Sequence, residues 1–386
     1  MKFVHQALII IAAMLAAVLQ AAPAMAEMIP FDGGVIIYDR GSMDQETYNG
    51  TIEGVVFRFD NGEEAYADRL RIETSQQTSP PQYTIDHLEI TNFNVFSDGI
   101  TLAVSSLVLK DTVIAGDTLE LEELFADQNL EQAIQQIGRL EIAGLVFDEA
   151  EEGNLTVDTV TLEAYPVAIE GIDTIPIQAG ELNVKDFIYI PAGASAEGMQ
   201  DFGFDRVTLN IRSESTVTDK PDRVDSTTRA SIDMDGIGTI AMEMDIGMLK
   251  GSLLALGQYN EEPENYEDME FMMMVLSGIF INAAEFSITD EGMLPIMFDA
   301  FEKEGGMDRS AAIEDAMSTL ALTIGPLAPQ TYSAFAPAIE RFLASGGTIK
   351  LAMNPYGPVP MTSFMSFMAA PDTAMSVLGM TLSQIP

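Results

Sequence analysis

The sequence predicts an α+β protein: a curved antiparallel β-meander built of repeated bulged strand pairs, with a C-terminal α-helical layer. Three observations point there. One strand spacing recurs in pairs, turn residues separate the members of those pairs, and near Asp290 the period changes from two to that of a helix.

The spacing reads apolar, one gap, apolar, two gaps, apolar, one gap, apolar. Its clearest copies are Leu88-Ile90-Phe93-Val95, Leu140-Ile142-Leu145-Phe147 and Leu182-Val184-Phe187-Tyr189. Each is followed by a second copy: Leu102-Val104-Leu107-Leu109, Leu155-Val157-Val160-Leu162 and Phe202-Phe204-Val207-Leu209. A degenerate pair precedes them, Ile52-Val55-Phe57 and Ala65-Ala67-Leu70-Ile72. Strict alternation would keep one face of a strand buried along its whole length. Here the parity flips at Thr91-Asn92, Ala143-Gly144 and Lys185-Asp186, so each strand needs a bulge, bend or corner that re-aims its second half. Asp98-Gly99 and Glu152-Gly153 supply turns within two of the pairs.

One helical interruption is expected within residues 120–138, a short capped helix over 127–138 with Leu130, Ile134 and Ile137 as its buried stripe and Gly138 as its stop. Two further strands, over 229–235 and 239–245, meet at the hairpin signal Asp235-Gly236-Ile237-Gly238. Helical periodicity then governs 295–304, 308–324, 329–344 and 371–380. Asp308 and Asp372 are its candidate caps, Gly305, Gly325 and Gly346 its stops, and a strand over 348–353 intervenes. Leu320, Phe335, Ile339 and Phe342 need an apolar partner, which the sheet can provide.

The first 26 residues have the grammar of a secretory signal peptide. Lys2 gives a positive n-region, residues 7–19 an apolar h-region, and Ala24-Met25-Ala26 a small-x-small cleavage site. The expected organisation is therefore a signal peptide over 1–26, a β-rich repeat region over 27–290, and an α-rich region over 291–386 that packs on the sheet. The apolar runs 7–19 and 271–284 both fall short of the ~20 residues that cross a bilayer. No transmembrane segment is expected in the mature chain, and the expected location is the periplasm.

With no cysteine, the chain has no disulfide, no thiol nucleophile and no Cys-ligated metal, and it lacks a lipid-modified cysteine. Sixty acidic against 18 basic residues give a net charge of −42. That field repels phosphate backbones and anionic headgroups, which excludes nucleic acid as a partner and disfavours anionic membrane. It is read as a solvated surface adapted to salt, with binding of a divalent cation or a cationic partner as the sharper alternative.

Catalytic signatures are missing. Beyond the leader His87 is the only histidine, too few for a His-rich metal site or a hydrolytic triad, and it is read as structural. Asp233-x-Asp235-Gly236 and Asp60-Asn61-Gly62-x-Glu64 resemble pieces of calcium loops but read better as hairpin turns. Gly236-x-Gly238-x-x-Ala241 leads into an alternating segment, not a helix, so it is no dinucleotide fingerprint. The 24 methionines suit a pliable core, an adaptable apolar surface or, more remotely, Cu(I). No catalytic residue, cofactor or metal ligand is assigned.

Several stretches resemble uncharacterised exported proteins of alphaproteobacteria: Phe204-Asp-Arg-Val-Thr-Leu-Asn-Ile, Asp235-Gly-Ile-Gly-Thr-Ile, Ile288-Thr-Asp-Glu-Gly-Met-Leu, Phe342-Leu-Ala-Ser-Gly-Gly-Thr-Ile-Lys-Leu and Pro358-Val-Pro-Met. The repeated strand pairs more distantly resemble AsmA-type envelope proteins, a resemblance that implies a β-groove linked to lipid transport. Neither the transmembrane anchor nor the great length usual in that family is expected here. The expected function is non-enzymatic binding of a lipid or other apolar small molecule on a concave sheet. Ile90, Phe93, Leu102, Val104, Ile142 and Val157 are the candidate lining. The alternative is a structural or interaction protein of the cell envelope, with a fully packed sheet and an envelope protein as partner.

Overall fold

A computed structural model describes residues 28–31, 34–44, 49–59, 62–78, 81–97, 99–115, 134–149, 153–172, 177–201, 203–261 and 268–386. The expected leader and residues 127–133 of the expected helix lie outside them. The strands form an antiparallel meander, and the helices gather toward the C-terminus. The chain divides into two compact units. One runs to Tyr165 and adds Leu182–Ser195; the other comprises Pro166–Glu181 and Ala196–Pro386.

The first unit holds strands β1 (Met28–Phe31), β2 (Gly34–Ile37), β3 (Arg40–Met43), β4 (Gly50–Phe59), β5 (Glu64–Thr78), β6 (Pro81–Ser97), β7 (Ile100–Ala115), β8 (Ile134–Gln136), β9 (Arg139–Glu149), β10 (Gly153–Pro166) and most of β11 (Gln178–Pro191). β4 to β7 pair in succession, β7 pairs with β9, and β9 with β10. The apolar positions of the repeated spacing form one core: Ile52, Val55 and Phe57 on β4, Leu88, Ile90, Phe93 and Val95 on β6, and Leu102, Val104, Leu107 and Leu109 on β7. Phe57 and Phe93 meet edge to face, 6.2 Å between centroids.

The parity flip has a specific geometry. Thr91 faces Ser106 and Phe93 faces Val104, while Asn92 and Ser105 between them drop out of the pairing without shifting the register. The same happens at Gly54 against Asp68, and at Gly144 against both Ser105 and Asp158. The flip is thus a kink matched on neighbouring strands, with no added residue on either. On alternate strands the kink residue is left-handed: Gly54 (φ 64°), Asn92 (φ 51°), Gly144 (φ 60°) and Asp186 (φ 49°). These are glycine, asparagine or aspartate, the residues that tolerate that region best.

The partner strands contribute short polar side chains at the kink. Asn92 Nδ2 donates to Asp68 Oδ2 at 2.6 Å, and Lys185 Nζ lies 3.4 Å from Asp158 Oδ2. A Cβ on Gly144 would sit 2.3 Å from Ser105 Oγ, so glycine there is required by space as well as by φ. The kink lets a strand bury Leu88 and Ile90 before it and Phe93 and Val95 after it in the same cluster.

Helix α1 (Gly193–Asp201) follows β11. The second unit then holds β12 (Val207–Asp219), β13 (Arg223–Met234), β14 (Gly238–Leu249), α2 (Lys250–Glu261), α3 (Asp268–Ser277), β15 (Ile279–Asp290), α4 (Met293–Gly305), α5 (Arg309–Thr323), α6 (Pro329–Ser345), β16 (Gly347–Met353), β17 (Val359–Pro360), α7 (Ser363–Ala369), α8 (Pro371–Val377) and β18 (Met380–Ile385). β12 to β16 pair in succession, β18 pairs with β16, and β17 with β15. No described helix is long and apolar enough to cross a membrane.

Several expectations need correction. Ile134–Gln136 is a strand paired with Val113 and Ile114, because the edge of β7 offers ladder hydrogen bonds that outweigh a short helical period. The strand expected from Phe202 starts only at Val207, and α1, α2 and α3 interrupt the β-region. The last expected helix stops at Val377; Gly379 (φ 58°) turns the chain into β18.

The caps divide instructively. Asp308 caps its own helix, accepting from Ala311 N at 2.9 Å, and Gly346 closes α6 as expected. Asp372 sits in the first turn of α8 but serves α6, accepting from Thr331 N at 3.0 Å, Gln330 N at 3.3 Å and the Thr331 hydroxyl at 3.1 Å. Desolvation pushes the Asp372 carboxyl up, but these hydrogen bonds outweigh it and hold the group below the ordinary aspartate value.

Two outcomes follow. In urea titrations Asn92→Gly should stay within about 0.5 kcal/mol of the parent, whereas Asn92→Val should lose about 2 kcal/mol, since only the latter is strained at positive φ. An Asp372 with a depressed folded pKa stabilises above its unfolded value, near ~3.9, and loses that contribution as pH falls through the folded value. Asp372→Ala should therefore melt below the parent at pH 7, and thermal scans should show the gap closing as the pH drops below about 4.

Candidate functional site

Alternation assigns every strand residue of the second unit to one of two faces. Val224 on β13, Met248 on β14, Ile288 on β15, Ile349 on β16 and Met380 on β18 share the apolar face, and helices cover parts of it. Leu253 of α2, with the turn carrying Ile169 and Ile172, packs on Val224, Val217 and Met248. Leu294 and Phe298 of α4, Ala312 and Ile313 of α5, and Phe342 and Leu343 of α6 pack on Ile288 and Ile349. Phe364 and Phe367 of α7 and Leu378 pack on Met353 and Met380.

Charged contacts fix these covers. Lys250, at the start of α2, places Nζ 2.8 Å from Asp219 Oδ1 and donates to the Glu170 carbonyl at 3.1 Å; Glu170 N donates to Asp219 Oδ2 at 3.0 Å. The Lys250 contact first, then the Glu170 N–H, hold the Asp219 carboxyl below its ordinary value. Arg309 of α5 donates to the Leu343 and Ala344 carbonyls that end α6, at 3.0 and 2.9 Å, and lies 5.0 Å over the Phe298 ring.

Between the covers the apolar face is open. Met242 on β14 lies opposite Phe286 on β15 and Ala230 on β13, and Ile232 is diagonal to Met242. Ile232, Met242 and Phe286 are 37%, 37% and 41% exposed, although Ile232 is paired with Ile240, Met242 with Phe286, and Phe286 also with Leu351. An exposed apolar row at the centre of a sheet face is informative, since such positions are ordinarily covered.

The opposite face is polar. It carries a groove of about 390 Å³ lined by Arg212, Glu214, Arg229, Glu243 and Glu285 among others. The groove follows from side-chain length: Ser231, Ala241 and Ser287 form a short rung beside the long rung of Glu214, Arg229, Glu243 and Glu285. Arg229 Nη2 lies 2.8 Å from Glu243 Oε1 and Lys350 Nζ 2.7 Å from Glu285 Oε2. The Arg229 hydrogen bond lowers the Glu243 pKa, and Glu243 in turn raises that of Arg229. An apolar ligand would gain nothing against these charges and would strip their hydration.

The residues named from sequence as lining lie in the first unit. Ile90, Phe93, Leu102 and Val104 are 3–6% exposed and come together in its core; Ile142 packs against that cluster, and Val157 is buried opposite Leu145. Ile232, Met242 and Phe286 escaped notice because their alternation looks like that of any covered strand. His87 lies on β6 with Nε2 3.8 Å from Glu89 Oε2. Among the described residues no group of three or more acidic or histidine side chains is arranged to hold a metal ion.

Residues 231–384, which include the open apolar row and all helices from α2 onward, match a family described as "Uncharacterized protein". No curated protein matches the chain.

Proposed function

We propose that this is a non-enzymatic, exported envelope protein that holds a lipid or other apolar molecule against the open stretch of the second unit's apolar sheet face. The observation that carries the reading is the cross-strand patch of Ile232, Met242 and Phe286, left uncovered between α2 with its neighbouring turn on one side and α4 to α6 on the other. An acyl chain laid across it would remove apolar surface from water at ~25 cal/mol per Å². Methionine suits such a surface because its unbranched thioether adapts to variable chains. Export rests on the signal-peptide grammar of residues 1–26.

The first unit supports this role as scaffold. Its candidate lining residues are packed as core, so the ligand surface is assigned to the second unit. The alternative of an envelope protein that only engages another protein predicts a different composition of the purified material.

Lipid extraction and mass spectrometry of protein isolated from its native envelope separates the two. The expected result is a co-purifying phospholipid or fatty acid that Phe286→Glu removes without loss of fold. Protein that arrives free of any apolar molecule but with a stoichiometric protein partner would overturn the reading.

A further inference from the structure

α5 and α6 form an antiparallel hairpin, since Arg309 at the start of α5 reaches the carbonyls that end α6. Its connecting turn is compact: Leu327 N and Ala328 N both donate to the Ile324 carbonyl, at 3.1 and 2.8 Å. At this tip Leu322 is 75% exposed, Leu327 69% and Ile324 38%. Leu322 and Leu327 belong to no described cluster, and a monomeric soluble surface has little reason to display three aliphatic side chains within six residues.

Charge is distributed along the hairpin in the same sense. Its base carries Asp308, Arg309, Glu314 and Asp315 on one arm and Glu340 and Arg341 on the other, while residues 316–339 contain no charged residue. The pattern extends to the end of the chain. Residues 316–386 hold only Glu340, Arg341, Lys350 and Asp372, which cancel, so the whole net charge of −42 resides in residues 1–315. The distal eight residues of α5 alone span about 12 Å, enough for the ~5–10 Å to which interfacial elements sink.

We infer that the α5–α6 tip is a membrane-docking wedge for a zwitterionic phospholipid surface. An aliphatic tip whose neighbouring carboxylate, Asp372, is engaged by the N–H groups that start α6 complements hydrocarbon and neutral headgroups, whereas the acidic remainder of the chain is repelled by anionic lipid. A protein partner would be met more typically by aromatic and arginine anchors, and leucine is under-represented among those. The tip is a surface distinct from the Ile232–Met242–Phe286 row, so the inference stands whether or not that row holds a ligand. With only three aliphatic side chains engaged, binding is weak and reversible.

Flotation of the purified protein, in the form its cells produce, with phosphatidylcholine vesicles tests this. The parent should float with neutral vesicles and less with vesicles rich in phosphatidylglycerol at low salt. The double change Leu322→Glu and Leu327→Glu should lower partitioning roughly tenfold or more, with circular dichroism unchanged because both residues are exposed. Leu254→Glu, which adds the same charge on α2, should float like the parent. Equal flotation of parent and tip variant, or equal loss in Leu254→Glu, overturns the inference. So does a parent that ignores vesicles but dimerises through the tip in light scattering, which would assign the tip to a second copy of the chain.

Discussion

Side chains on a β-strand alternate between two faces, and this chain depends on that constraint throughout. A strand whose apolar residues all served one core would read as simple alternation. The repeated strands of the first unit break the alternation and restore it by a matched kink, and β5 carries a further register shift against β6 between Glu73 and Thr74. A left-handed Gly54, Asn92 or Gly144 stands beside a short polar residue on the neighbouring strand. Register survives the kink, so the ladder loses one rung locally and the core remains continuous. The hydrogen bond between Asn92 and Asp68 keeps the kink's polar groups satisfied.

In the second unit alternation is unbroken along most of its sheet, and the consequence is two faces of opposite character. One bears a rung of charges ordered by length and sign, with a groove above the serines and alanines. The other is apolar and needs cover. α2 with the Ile169–Ile172 turn and α4 to α8 provide it at separate places. What they leave bare is the row proposed to hold an apolar molecule.

Much of the fold was legible because it is written in local period and turn chemistry. The parity flips at Asn92, Gly144 and Asp186 fall where the left-handed residues stand, and Asp308 caps the helix it precedes. The misses share a physical cause, namely contacts distant in sequence. Asp372 looks like the cap of α8 yet serves α6, some forty residues earlier. Ile134–Gln136 follows β7 into a sheet, and α3, a continuous apolar run from Phe271 to Leu276 behind Asp268 and Glu270, offers no period to read. The candidate site was legible only as chemistry. Ile90 and Phe286 both stand in ordinary strand alternation, and only contacts distant in sequence decide that the first is packed among side chains of neighbouring strands and the second left open.

The central claim is that the apolar face of the second unit is open at Met242 in the ligand-free protein. Methionine oxidation followed by mass spectrometry measures this directly on delipidated protein. Met242 should oxidise on the timescale of Met273 and Met274, which are similarly exposed, and added fatty acid should protect it selectively. A Met242 that resists oxidant in the delipidated protein would contradict the account.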